Sequence, residues 1–277
     1  MNIGEVENKG YELELKWRSK INDVNYYLTT NMSFARNKII YMDEIPKKYD
    51  YLVQTGLRVN QRFAYVFDGF WSQADLDHFS DYPDPKYTPK PGDIRYADLN
   101  GDMVIDAYDQ KAIGFPDYPE YNFSLSGGMD WKGFDISMLW NGVTNVSRVM
   151  NDTWREAFSN LGDRSLLQWL ADNSWTPETA ATALAPRISF SGRINNTKTS
   201  SLWLRDESYL RLKNLEVGYS FSASLLKRLG ISSMRVSASG YDLITFDKLK
   251  FIDPEARSSS PDYPLVKIVN LGVNVNF

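Results

Sequence analysis

Hydrophobic and polar side chains alternate with a period of two along several stretches of this chain, and the cleanest stretch is the last. Val269, Leu271, Val273, Val275 and Phe277 point one way, while Asn270, Gly272, Asn274 and Asn276 point the other. That spacing marks a strand with one apolar and one polar face. A soluble protein rarely ends on such a bare strand, because an open edge beside an apolar face invites aggregation. In a transmembrane β-barrel the pattern is natural: the apolar residues meet lipid, the polar ones face the lumen, and the last strand closes against the first.

The same alternation recurs upstream. Tyr11, Leu13, Leu15 and Trp17 alternate with Glu12, Glu14, Lys16 and Arg18. After a polar turn at Lys20 to Asp23 come Tyr26, Leu28, Thr30, Met32 and Phe34. This predicts a hairpin of strands 10–19 and 25–36. A second hairpin is expected from Phe123, Leu125, Gly127, Met129 and Trp131, the turn Lys132-Gly133, and Phe134, Ile136, Met138 and Trp140. Strand 209–221 is less regular. Leu215, Val217, Tyr219 and Phe221 form one face, but Arg211 and Lys213 share their parity, which predicts a bulge or a strand rising beyond the bilayer. Strand 233–245 sets Met234, Val236 and Ala238 opposite Arg235, Ser237 and Ser239, and Ala223 to Leu229 with Gly230 reads as a short helical turn.

Connection lengths alternate as well. Short links follow strands 10–19, 121–131 and 209–221, and long ones follow 25–36, 134–145 and 233–245. Outer-membrane barrels have short periplasmic turns and long extracellular loops. With Phe277 in the periplasm, the long connections 37–120 and 146–206 fall outside. Within 146–206, Arg155 to Phe158 and Ser165 to Leu170 suggest short helices, and Trp175 to Glu178 a turn into another. The fold class expected is therefore all-β: a transmembrane antiparallel β-barrel, of which about seven strands are present. That is fewer than the roughly eight of the smallest single-chain barrels, so the chain reads as the C-terminal portion of a larger one.

Composition narrows the choice without deciding it. No stretch of the 277 residues approaches the roughly 20 apolar residues of a membrane-spanning helix. The opening MNIGEVENKGYELELKW has no basic region followed by an apolar one, so no signal peptide is expected in it. A chain without cysteine has no disulfide framework and no Cys-ligated metal. A net charge of −4 argues against a nucleic-acid partner. The 14% aromatic content suits interfacial girdles, and it equally suits a soluble all-β carbohydrate-binding or adhesion module with a calcium-stabilised loop.

Three segments in order carry a resemblance: Tyr65-Val66-Phe67-Asp68-Gly69-Phe70-Trp71-Ser72-Gln73-Ala74-Asp75-Leu76-Asp77, Pro91-Gly92-Asp93-Ile94-Arg95-Tyr96-Ala97-Asp98-Leu99-Asn100-Gly101-Asp102, and Tyr209-Leu210-Arg211-Leu212-Lys213-Asn214-Leu215-Glu216-Val217-Gly218-Tyr219. With the terminal strand, they resemble the C-terminal barrel region of SusC/RagA-type TonB-dependent outer-membrane transporters. The resemblance implies a barrel of about 22 strands with an N-terminal plug. It further implies import of oligosaccharides or peptides, a SusD-like surface lipoprotein over the barrel, and energy from TonB acting through an N-terminal region that this chain lacks. No enzyme activity is implied, and the bilayer is the remaining partner.

The sharpest local chemistry is Asp98-Leu99-Asn100-Gly101-Asp102-Met103-Val104-Ile105-Asp106-Ala107-Tyr108-Asp109. Oxygen donors fall at Asp98, Asn100, Asp102, Asp106 and Asp109, with the Val104 carbonyl between them, in the spacing of an EF-hand-type loop. Acidic groups crowded this way repel unless a divalent ion screens them, so a structural Ca2+, or Mg2+ in second place, is expected. Met103 stands where Gly would ease the turn, and Asp109 replaces the longer bidentate Glu. An Asx-rich turn without metal is the alternative.

Trp71, Trp154, Trp169, Trp175 and Trp203 lie in the presumed outer loops, where they could stack on substrate, meet the lipoprotein or pack within the loops. His78 is the only histidine and lacks the partners of a nucleophilic triad. Nothing in the sequence marks two carboxylates as a glycosidase pair.

Overall fold

The computed structural model describes residues 4–150, 152–158, 165–189, 193–249, 251–256 and 265–277. The chain opens with the long hairpin β1 (Gly4–Ile21) and β2 (Val24–Met42). Four short strands follow: β3 (Phe63–Tyr65), β4 (Phe67–Phe70), β5 (Ile94–Tyr96) and β6 (Gln110–Ala112). Next come β7 (Tyr121–Trp131) and β8 (Phe134–Thr144), then short β9 (Ser147–Val149) and β10 (Leu204–Asp206). The long strands β11 (Tyr209–Ser220), β12 (Ser233–Asp247) and β13 (Ile268–Asn276) complete the order. Among the described residues the helices are single turns: α1 (Gln73–Asp77), α2 (Asp152–Arg155), α3 (Gln168–Asn173), α4 (Arg193–Asn196) and α5 (Ala223–Leu226).

The seven long strands form one antiparallel sheet in the order β1-β2-β7-β8-β11-β12-β13. Its register aligns every alternating stretch. One row across the sheet reads Trp17, Leu28, Gly127, Met138, Leu215, Gly240, Val269, and the next reads Ser19, Tyr26, Met129, Ile136, Val217, Ala238, Leu271. The row between them lies on the other face: Arg18, Tyr27, Gly128, Ser137, Glu216, Ser239, Asn270. A slip of one residue in any strand would put its apolar set on the polar face. The sheet therefore has one continuous apolar side.

That apolar side is bare in this chain. Trp17 is 62% exposed, Leu271 85% and Phe277, just past β13, 91%. The buried apolar residues lie elsewhere, in the connections: Ile94, Tyr96, Ile105, Met150, Trp154, Leu170, Ala185, Leu202 and Trp203 form one cluster. A soluble domain puts its strand faces inside. Here the strands carry the exposed apolar surface and the loops carry the core, the inversion expected of a wall whose outer face meets hydrocarbon.

Short turns and long connections segregate to opposite ends of the sheet, as the strand pattern predicts. The turns are Asn22-Asp23, Lys132-Gly133 and the α5 turn between β11 and β12. Lys132 and Gly133 have φ of 47° and 92°, the left-handed pair that matches strand twist in a two-residue hairpin.

At the other end the connections fold together. Asp93, buried, accepts hydrogen bonds from Arg187 Nε (2.7 Å), Asn196 Nδ2 (3.0 Å) and the Lys90 amide (2.9 Å), so one carboxylate ties the two long connections. Asn196 Oδ1 also accepts from the Ile94 amide at 2.9 Å, and Tyr65 bridges to Ser200 as an isolated parallel pair.

Several element boundaries differ from the sequence expectation. β2 runs on to Met42, because its last third is held by backbone pairing to Gly4–Lys9 where no apolar alternation exists to be read. The first helix of the second connection is Asp152–Arg155, not 155–158, and the second is Gln168–Asn173, shifted from 165–170. Directly after Trp175, over 176–189, the chain makes turns and no helix. Single-turn helices are fixed by tertiary packing rather than propensity, so their sequence signal is weak.

The two faces make a direct test. Met138→Arg, near the middle of the apolar side, is expected to cost about 2–4 kcal/mol in lipid vesicles, whereas Ser137→Arg on the polar side is expected to cost far less. Equal losses in denaturant unfolding of the two variants would contradict the assignment of faces.

Candidate functional site

The polar face of the wall is built from charged groups that satisfy one another across strands. Arg235 on β12 reaches Asp135 on β8 (2.5 Å) and Glu216 on β11 (2.7 Å), spanning three neighbouring strands. Higher up, β11 is bulged at Lys213: Leu212 pairs with Trp140 and Ile244, but Asn214 pairs with Leu139 and Tyr241. The extra residue resets parity. Arg211, which by simple counting shares a face with Leu215, instead joins the polar row of Glu14, Asn31, Ser124, Asn141 and Thr245.

There Arg211 is 2% exposed and pairs with Asp253 (2.8 Å) and Glu255 (2.5 Å). Lys213 pairs with Asp242 (3.0 Å) and Glu255 (2.6 Å), and Asp242 takes a left-handed φ of 52° to complete the β12 side of the bulge. Tyr209 donates to Glu255 at 2.8 Å. The bulge thus clamps the segment around 253–255 to the inner wall. Its sequence signal was the parity violation at Arg211 and Lys213; the partners at 253 and 255 left none.

A second clamp holds the first connection. Glu120, 4% exposed, accepts from Arg36 at 2.8 and 2.7 Å, from Asn145 at 2.9 Å and from Arg58. Burial alone would raise this carboxyl, but the three donors overcome it and pull it down to about 2. Sequence reading missed Glu120 altogether.

Between wall and loops lies a cavity of about 580 Å³, lined by Asn122 and Val143 of the polar face together with Arg148, Trp154, Glu207 and Glu255. Glu207 pairs with Arg148, but burial dominates and pushes it up to about 7.

The acidic loop folds around its own amides. Asp98 accepts from the Asn100, Gly101 and Met103 amides at 3.2, 2.7 and 2.8 Å, Asn100 Oδ1 from the Asp102 amide at 2.9 Å, and Asp102 from the Val104 amide at 3.1 Å. Asp106 accepts from the Tyr108 amide at 2.8 Å, while Asp109 is fully buried and accepts from the Leu99 and Asp106 amides at 2.9 and 2.7 Å. Met103 adopts φ 61°, so the turn is made even without glycine. Burial, with Asp98 and Asp106 nearby, raises Asp109. Among the described residues no three His, Asp or Glu side chains already converge as a metal site.

The five tryptophans divide. Trp203 is fully buried and donates to the Asn196 carbonyl at 2.7 Å; Trp71 is 1% exposed against Phe79 and Tyr82. Trp154, nearly buried, and half-buried Trp169 both pack on Phe251, with centroids 5.2 and 4.6 Å away. Trp175 is half-buried beside Gly92. Of the five, Trp154 lines the cavity. His78 is exposed on a loop, its Nδ1 3.1 Å from the Ala74 carbonyl.

A sheet apolar on one side, charged on the other and capped by packed loops at one end is a segment of an outer-membrane β-barrel wall. No family model matches the chain. Over its whole length it is 26% identical to TonB-dependent receptor P3 of Formosa agariphila, covering 29% of that protein, and 24% identical to TonB-dependent receptor SusC of Bacteroides thetaiotaomicron, covering 27%. A solved structure of the RagAB peptide transporter superposes on 99% of the chain with a TM-score of 0.69 at 22% identity, covering 29% of that structure's chain. The chain is thus similar in sequence to TonB-dependent receptors, SusC among them, and in fold to the RagAB transporter, and it spans under a third of the relatives it matches.

The clamp at Glu120 has a pH signature. A carboxyl held below its ordinary 4.5 contributes fully above that value and loses its contribution as pH falls toward about 2. The protection of amides around Ala35 and Asn145, whose backbones pair with Glu120, measured as exchange relative to the intrinsic rate at each pH, is expected to fall through that window. In Glu120→Gln exchange is expected to be faster already at neutral pH, with the acid-dependent step gone. An unchanged acid profile in the variant would show that another group carries it.

Proposed function

We propose that this chain is wall and outer loops of an active importer in the outer membrane, and that the intact protein takes up oligosaccharides or peptides with energy from TonB and a SusD-like lipoprotein over the barrel. The observation that carries the reading is the pairing of an exposed apolar face, continuous across seven strands, with a packed loop layer at one end. In this reading the short turns face the periplasm. The connections 37–120 and 146–206 are extracellular, the plug and the TonB-binding segment lie outside these residues, and the polar face with its Arg235 and Arg211 networks lines the substrate path. The relatives are named receptors and transporters, which supports a chain that performs no chemistry of its own. A soluble sugar-binding module is disfavoured, because its strand faces would be buried.

Deleting the receptor is expected to abolish uptake of its labelled substrate in cells supplied with peptide or oligosaccharide mixtures, and deleting TonB is expected to have the same effect. Uptake unchanged by loss of the receptor would sink the proposal.

The acidic loop is read as a structural Ca2+ site held by Asp98, Asn100, Asp102, the Val104 carbonyl, Asp106 and Asp109, with Mg2+ the weaker competitor. What supports this is the EF-hand-type spacing, the left-handed turn at Met103 and the crowding of Asp98 and Asp106 on buried Asp109. Calorimetric titration of the intact receptor is expected to show calcium binding in the range of roughly 10⁻⁴–10⁻³ M typical of extracellular modules, lost in Asp98→Ala. Absence of heat in the unmodified protein would leave the loop an Asx-stabilised turn.

A further inference from the structure

The link between β11 and β12 differs from the other two short turns: it is a helical turn that carries exposed leucines and bases. It consists of α5 followed by a 3-10 turn, Lys227–Leu229, closed by Gly230 at φ 69°. Leu226 is 2% exposed and anchors the turn against the protein. Leu225 and Leu229, one helical turn apart, are 52% and 68% exposed. Lys227 and Arg228 are exposed between them, and among the described residues no ion pair involves either. The other two short turns are two residues each and expose no leucine.

The position of this turn decides what such a pattern meets. β11 enters it from the outward row residue Tyr219, on which Phe221 packs just past the strand, and β12 leaves it through Met234 and Val236, which pair with Val275 and Val273 on the same face. The aromatic rings Trp131, Phe134 and Tyr219 stand at this end of the apolar side, and Phe134 and Tyr219 pack at 4.5 Å. Such a ring marks the level where hydrocarbon gives way to headgroups. The turn thus follows directly on the last outward-facing residues of β11 and β12, and its exposed leucines and two cations stand at the end of the wall that the aromatic rings mark.

We propose that residues 223–230 form an interfacial anchor, with Leu225 and Leu229 in the acyl boundary of the periplasmic leaflet and Lys227 and Arg228 on the phosphates of anionic phospholipids. The inference rests on the barrel reading and its sidedness. Lipid fits the features better than water does: two large exposed leucines gain nothing from solvent, and cations flanking them complement a negative headgroup layer. The anchor would hold the rim of the wall at a fixed depth.

The test is a nitroxide label at single cysteines in the intact receptor, any other cysteine replaced by serine, reconstituted in phosphatidylethanolamine vesicles with or without phosphatidylglycerol. Labels are placed by Leu225→Cys and Leu229→Cys, with Leu271→Cys on the wall and Ile45→Cys on an exposed loop as references. Collisions with oxygen report hydrocarbon, collisions with a water-soluble nickel chelate report solvent, and loss of both reports protein.

The proposal expects Leu271→Cys in hydrocarbon, Ile45→Cys in water, and the two helical-turn labels oxygen-accessible at shallow depth. Inserted label should increase with phosphatidylglycerol, and each of Lys227→Gln and Arg228→Gln should cut that increase about fivefold. With Leu271→Cys in hydrocarbon, solvent-exposed or protein-covered labels at 225 and 229 overturn the anchor and spare the barrel. An aqueous Leu271→Cys overturns both. Insertion indifferent to phosphatidylglycerol removes the role given to the two cations and overturns the anionic-lipid assignment.

Discussion

Hydrocarbon offers backbone amides and carbonyls no partner, and each one left unpaired there costs several kcal/mol. A chain that crosses with strands must therefore pair every strand with a neighbour and present an apolar row to lipid at every second residue. The unbroken ladder from β1 to β13 and the uniform rows across it are the consequence. Once that ladder is set, register has no freedom, because a one-residue shift would carry arginines and glutamates into lipid. Turn lengths, the aromatic ends and the distribution of charge follow from the same restriction.

The wall cannot provide a core, so the connections make their own. Ile94, Tyr96, Met150, Trp154 and Trp203 bury one another above the sheet, and Asp93 binds segments a hundred residues apart in sequence. Two carboxylate clamps, buried Glu120 on Arg36, Arg58 and Asn145, and partly buried Glu255 on buried Arg211 and on Lys213 and Tyr209, fasten this layer to the polar side of the strands. Buried charges of this kind stabilise when fully partnered and cost heavily when one partner is removed. They suit a loop layer that must stay in register with the wall beneath it.

The bulge at Lys213 connects the two systems. By inserting one residue it turns Arg211 inward, which lets a guanidinium enter a strand whose neighbours face lipid two residues further on. The cavity beneath the loops opens beside this point, bounded by Arg148, Glu207 and Trp154. In an importer this junction is where substrate would pass from loops to lumen.

The seven long strands, the two faces and the short and long connections were legible in the sequence, and the parity break at Arg211 and Lys213 left a bulge as one of two readings. Lipid imposes a period-two pattern on each strand separately, and a local pattern survives in one dimension. Val269 to Phe277 and Phe123 to Trp131 are readable without any neighbour. The helical turn at 223–230 was legible too, whereas the extension of β2 to Met42, the bounds of the helices in the second connection, the burial of Trp71 and Trp203 and the partners of Glu120 were not. Each depends on residues far along the chain being brought together, and side chains that satisfy one another across that distance leave no periodicity behind. The sequence alone determined which side of each strand meets lipid; only the folded loops decided which tryptophans are core and which carboxylates hold the layer to the wall.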